Sequence, residues 1–211
     1  FAWGHLAVTN TMLLSTLVLL LLVCGAILLR RRLTKRIPGV AQNIVELILL
    51  GILGIMDTVL ISREKSERYL PLVATIFIFI LVSNWIGLVP GVGSFGIREE
   101  HGLIPFFRSP ASDLNFTLAL ALISVITINI MGMLAIGIRQ HISKFLNFRS
   151  PVDFFIGILE FISEIAKIIS FSFRLFGNVF AGEVLLVIVA FLVPIIIPVT
   201  FLFMELFVGF I

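Results

Sequence analysis

Phe171-Ser-Phe-Arg-Leu-Phe-Gly-Asn-Val-Phe-Ala-Gly-Glu183 sets one arginine and one glutamate inside a run that otherwise reads as membrane-buried. An arginine at the bilayer centre costs about 2.5–3.5 kcal/mol on insertion scales, so a chain that keeps one must offer it a partner or a wet path. The plainer readings are a structural pair between Arg174 and Glu183, or an arginine near the membrane edge that snorkels.

Outward from this stretch, Pro151 is a plausible first-turn proline of a long helix that also carries Asp153, Glu160, Ser163, Glu164, Lys167 and Ser170. At about 100° per residue and measured from Glu160, Lys167 falls near −20°, Arg174 near −40°, Asn178 near 0°, Glu164 near +40° and Asp153 near +20°. Six polar groups share one stripe of a helix otherwise made of Phe, Ile and Leu. Such a stripe is untenable against lipid and must face protein, water or both. A solvated face at the membrane surface suits Asp153, but Arg174 lies roughly 30 Å further along. The last segment carries Glu183 and Glu205 around 21 uncharged residues. Pro194 and Pro198 fall between them, so a kink is expected and the relative azimuth of the two glutamates stays open. Glu205 reads either as a working carboxylate or as a buried structural hydrogen bond.

Composition sets the class. The 211 residues are 60% hydrophobic and 13% charged, with a mean hydropathy of +1.20. That excludes an ordinary soluble domain and predicts an all-α membrane protein with one helical domain over residues 1–211. The apolar runs are too long for the strands of an outer-membrane barrel. The single cysteine, Cys24, excludes a disulfide framework. The net charge of +3 is clustered at loops, where it reports topology and not nucleic-acid binding. The chain opens at Phe1 without a methionine, which reads as a trimmed start, and Leu6–Leu29 is too long for a signal-peptide core.

Five spans are expected, near residues 6–29, 70–89, 114–138, 152–178 and 184–211. The first is closed by Arg30-Arg-Arg-Leu-Thr-Lys-Arg36, a positive cluster that marks the cytoplasmic side. In residues 37–61, Glu46 and Asp57 fall within about 20° of each other and Gln42 and Asn43 flank the same face, which predicts an amphipathic helix along the interface. The mixed run Arg63–Arg68 reads as a wet turn. Trp85 suits the far interface. Pro90–Gly96 contains a formal G-x-G-x-x-G, but it follows a membrane helix and not a strand, so it reads as a flexible turn. Asp113 is an N-cap or lines an outer vestibule. Arg139, Lys144 and Arg149 return the chain to the cytoplasm.

No H-E-x-x-H, G-x-S-x-G or Walker A motif is present, and His5, His101 and His141 lie beyond metal-binding spacing. What remains is a set of carboxylates at different depths around a permanent cation. Arginine keeps its proton in a protein, so Arg174 interrupts a proton wire and attracts a mobile carboxylate. Two offset half-paths flanking it would force a proton onto a carrier.

Arg174-Leu-Phe-Gly-Asn178 followed by Ala181-Gly-Glu183 resembles subunit a of the F-type ATP synthases, the stationary membrane subunit beside the rotating c-ring. The resemblance extends from the first hydrophobic helix to Ile211, although the family's final helix runs on past that point with another polar residue. It implies that the last two helices are long and strongly tilted, that Arg174 faces the acidic side chains of the c-subunit ring, and that Asn178, Glu183 and Glu205 line the inlet half-channel. Glu160, with Ser163 and Lys167, would mark the exit half-channel. Peripheral-stalk b subunits, the rest of the synthase and the lipid bilayer are the other implied partners. The resemblance implies neither a cofactor nor a metal, and a bacterial plasma membrane more than an organelle. The competing readings are a self-contained proton or sodium channel or transporter, for which inverted repeats are lacking, and a structural scaffold.

Overall fold

The computed structural model describes residues 2–3, 6–7, 9–33, 39–89, 96–99, 102–105, 108–145, 151–192 and 196–210. It is helical: α1 (Asn10–Arg32), α2 (Val40–Leu60), α3 (Arg63–Leu88), α4 (Leu114–Ile136), the five-residue α5 (Ile138–Ile142), α6 (Pro151–Leu192) and α7 (Ile196–Phe210). Two small antiparallel ladders, β1 (Ala2–Trp3) with β2 (Leu6–Ala7) and β3 (Gly96–Glu99) with β4 (Gly102–Pro105), are the strands among the described residues. By length and hydropathy, five helices can cross a membrane: α1, α2, α3, α4 and α6. The chain is an integral membrane protein. It divides into two compact units, essentially residues 1–109 and 110–209.

In the first unit, α3 packs on both α1 and α2. Thr9 caps α1, its hydroxyl accepting from the Met12 amide, so helix begins at Asn10 and not at Leu6, which pairs in β2 instead. Leu14 and Val18 are the buried positions of α1, one turn apart. The α2–α3 pair closes over Ile52, Met56 and Ala74, with Leu49, Tyr69 and Phe77 packed around them. Its connection is tight. Ile61 takes φ 52°, in the left-handed region, and its amide donates to the Asp57 carbonyl at 3.1 Å. Arg63 then bridges Asp57 at 2.7 Å and Glu67 at 3.0 Å. The run Arg63–Arg68 is therefore the opening of α3 and not a wet turn, because an i,i+4 ion pair and a buried Ser66 hydroxyl bonded to the Ser62 carbonyl satisfy its first turns.

Helix α2, expected along the interface, is by length and hydropathy also long enough to cross a membrane. Its polar residues cluster at the ends: the Gln42 amide donates to Glu46 at 2.8 Å, and Asp57 serves the turn. The glycine-rich turn at 90–95 lies outside the described residues, and the ladder of β3 and β4 follows it.

In the second unit, a 3-10 turn at Pro110–Ser112 leads to Asp113, the N-cap of α4, whose Oδ1 accepts from the Asn115 amide at 2.9 Å. Gly137, at φ 99°, ends α4 and turns the chain into α5. Helix α4 packs against α6 along its length. The break expected between residues 178 and 184 does not occur. Helix α6 runs unbroken for 42 residues, because isolated Gly177 and Gly182 cost only about 1 kcal/mol each among good helix formers. The Phe176 and Phe180 rings also stack one turn apart, with centroids 5.1 Å apart. The kink expected at Pro194 lies outside the described residues, whereas Pro198 sits in the first turn of α7, where proline is tolerated.

Candidate functional site

Helix α6 carries the site. At about 1.5 Å per residue it is roughly 63 Å long, twice the hydrocarbon thickness of a bilayer. Its contacts with α4 fix which way it faces. The Ser172 hydroxyl, fully buried, bonds Thr117 of α4 at 3.1 Å. The Thr117 hydroxyl donates to its own helix at the Leu114 carbonyl, so Ser172 donates in this pair. Further down, Gly157 lies against the backbone of Phe145, which leaves no room for a Cβ. Arg174 follows Ser172 by two residues and therefore points roughly 160° away from the α4 contact. It is exposed. Its guanidinium lies 6.0 Å from the centroid of the Phe171 ring, and it makes no ion pair among the described residues. The structural pairing of Arg174 with Glu183 is not what these side chains do.

Below Arg174 is a polar cluster. Glu164, half-buried, accepts from Lys167 Nζ at 2.7 Å and from the Asn129 amide of α4 at 3.2 Å. The Asn129 amide also donates to the Val125 carbonyl at 3.0 Å, and its Oδ1 meets His141 Nε2 at 3.1 Å. A cavity of about 740 Å³ opens beside it, walled mainly by Ile126, Phe145, Phe161 and Ile165, with Asn129 and Glu164 as its polar edge. Glu160 is half-buried one turn away. Ser163 is exposed and turns its hydroxyl back to the Leu159 carbonyl at 2.8 Å.

Above Arg174 is a second cluster. Glu205 of α7 is only 7% exposed, and neither carboxylate oxygen has a hydrogen-bond partner among the described atoms. Its carboxyl end occupies the space a side chain at Gly182 would need: a Cβ there would come within 2.5 Å of Oε1. A cavity of about 240 Å³ lies between Gly177, Asn178, Ala181 and Gly182 on α6 and Phe201 and Glu205 on α7. Glu183, half-buried, is near enough to act on Glu205 electrostatically. An unpaired buried carboxylate is costly unless it binds a proton or meets water.

The structure thus brings Asn178, Gly182, Glu183 and Glu205 together, and separately Glu164 and Lys167. Arg174 stands between the groups. Asn129 and His141 were missed by the sequence reading. Each is a lone polar residue on an unremarkable apolar or basic segment: the antiparallel packing of α4 on α6 brings Asn129 to Glu164, and the turn at Gly137 brings His141 back to Asn129. No group of three or more His, Cys, Asp or Glu side chains placed to hold a metal occurs among the described residues.

The family model of the ATP synthase A chain matches residues 11–211. Among curated relatives, ATP synthase subunit a 1 of Syntrophotalea carbinolica is 36% identical over 92% of this chain and 75% of its own length. ATP synthase subunit a of Moorella thermoacetica is 31% identical over 99% of this chain and 86% of its own. That of Campylobacter fetus is 34% identical over 85% and 74%. With nearly its whole length matched, the chain belongs to the ATP synthase A chain family.

Proposed function

We propose that this chain is the stationary proton-path subunit of the F0 sector of an ATP synthase, with two offset half-channels serving the carboxylates of a rotating c-ring. The observation that carries this reading is the position of Arg174. It is an exposed cation on α6, roughly 10 Å along the helix from Lys167 and roughly 12 Å from Gly182, so one polar group lies on either side of it. Glu205, Glu183 and Asn178 line the inlet half-channel, and Glu160, Ser163 and Lys167 line the exit.

In this arrangement no covalent chemistry is needed. A proton reaches the inlet carboxylates through water and moves to a ring carboxylate at the level of the gap. Arg174 keeps its own proton and so cannot pass one on. Its charge draws each deprotonated ring carboxylate into register and blocks direct passage between the two corridors. Each charge that crosses is worth about 2.3 kcal/mol per 100 mV of membrane potential, and that energy is lost if the corridors join. In this reading the membrane is a bacterial plasma membrane, and the ends that carry the basic residues Arg30–Arg32, Arg139 and Lys144 face the cytoplasm, as the loop-charge bias supports. The c-ring and peripheral-stalk b subunits are the protein partners, and lipid covers the remaining apolar surface.

Arg174→Ala tests the reading in the assembled complex. ATP-driven proton pumping is expected to vanish while the subunit content of the complex stays unchanged. Pumping that persists at the parental rate would overturn it, and so would failure to assemble with both Arg174→Ala and Arg174→Lys. Ion flux through the isolated chain in liposomes would favour a self-contained channel instead.

A further inference from the structure

The lower cluster holds more than the ion pair of Glu164 and Lys167, and its far end is unexplained by helix packing. His141 is 8% exposed, and its Nδ1 is buried without a hydrogen-bond partner among the described atoms. The ring lies against Gly132 of α4, where a Cβ would fall 3.0 Å from Cε1 and 3.3 Å from Nδ1. The Phe145 ring closes another side edge-on, with centroids 5.9 Å apart. The imidazole is thus seated in a fitted space.

Its tautomer follows from the network. The Asn129 amide nitrogen is committed as donor to the Val125 carbonyl and to Glu164 Oε2. Asn129 Oδ1 is then the acceptor toward His141, so Nε2 carries hydrogen. In the neutral ring Nδ1 holds the lone pair, and that lone pair is the unpartnered atom. That nitrogen is the ring's one open proton-accepting atom. The carboxylate of Glu164, one amide away, favours the positive charge that results. The other charges around the ring are Lys167, and Glu160 one turn below, on α6, and Arg139 and Lys144 on its own segment; α4 contributes none.

We propose that His141 Nδ1 is a proton-binding site on the basic-loop side of the chain, coupled through Asn129 to Glu164 and so to Lys167 at the exit half-channel. Proton uptake at Nδ1 adds a positive charge to the hydrogen-bonded row Lys167–Glu164–Asn129–His141. Glu164 then shares its negative charge between two cations, which loosens its hold on Lys167 and changes the field at the exit. Asn129 and Glu164 are positioning residues here, since neither accepts the proton. The inference rests on the proton-path reading above.

The test is ATP-driven proton pumping by the assembled complex in inside-out membrane vesicles, recorded against the pH of the medium, which bathes the loop side. The parent is expected to show a step in the profile. His141→Gln, which can still donate to Asn129, is expected to remove the step and leave pumping otherwise intact. Glu164→Gln is expected to move the step to lower pH, because the neighbouring negative charge is gone. A step unchanged in both variants would overturn the proposal. So would failure of both His141→Gln and Asn129→Asp to assemble, which would make the row a structural strut. Loss of pumping at every pH is the signature of Arg174→Ala. If Arg174→Ala abolishes pumping and His141→Gln leaves the profile untouched, only the present inference falls.

Discussion

Gly182 and Glu205 meet because one residue lacks a side chain and the other ends in a carboxyl group that fills the gap. Gly182→Ala is therefore expected to push the Glu205 carboxyl out of its place and to lower proton pumping severalfold without loss of assembly. Glu205→Asp, which withdraws the carboxyl by one methylene, is expected to restore part of the rate in the double variant. The measurement is the pumping rate per mole of complex in vesicles, and full activity of Gly182→Ala would show that the close approach has no consequence. Arg174 presents the opposite case. Its place on one stripe with Glu160 and Asn178 follows from helical spacing alone and was readable before any tertiary contact was known. The azimuth of Glu205 was not, because residues 193–195 and the prolines around them separate it from α6.

At the scale of elements, the pairing of α4 with α6 carries one fully buried polar contact, between Thr117 and Ser172. Thr117→Val is expected to cost about 1–2 kcal/mol because it leaves the Ser172 hydroxyl unpaired. Ser172→Ala is expected to cost less, because the Thr117 hydroxyl keeps its bond to the Leu114 carbonyl, and the double variant less than the sum. Thermal unfolding of the detergent-solubilised complex reads this, and strict additivity would mean that the two hydroxyls do not serve each other. The α2–α3 turn offers the reverse experiment. Ile61 sits at φ 52°, a conformation that costs an L-residue roughly 1–2 kcal/mol. Ile61→Gly is expected to raise stability by about 1 kcal/mol once glycine's greater freedom in the unfolded chain is offset. A lowered midpoint would mean that the isoleucine side chain contributes more than its backbone costs. Helix ends were the least legible part of the sequence. Arg63–Arg68 reads as solvent-facing because it is charged, yet its charges are spaced to pair along a helix. Residues 152–178 and 184–211 read as separate spans, yet one helix runs through the residues between them.

At the scale of the whole molecule, apolar residues are exposed on every long helix, as lipid requires. The distribution of basic residues then sets which ends lie in the cytoplasm. In a Cys24→Ser background, Ser143→Cys, at an exposed position, is expected to react with a membrane-impermeant maleimide added from the cytoplasmic face. Asn115→Cys, also exposed, is expected to react only from the opposite face. The reverse pattern would invert the assignment of inlet and exit.

Hydropathy, loop charge and the residues 171–183 determined, without any coordinates, that this is a helical membrane protein with an arginine inside one long apolar segment. Those properties are periodic or compositional, and a helix's own geometry is enough to read them. What only the tertiary structure decided is which lone polar residues meet: Glu205 with Gly182, Asn129 with Glu164 and His141, Thr117 with Ser172. Such meetings depend on the axial register of one helix against another, and that register is set by close packing at sites such as Gly157 and Gly182, whose partners lie far away in the chain.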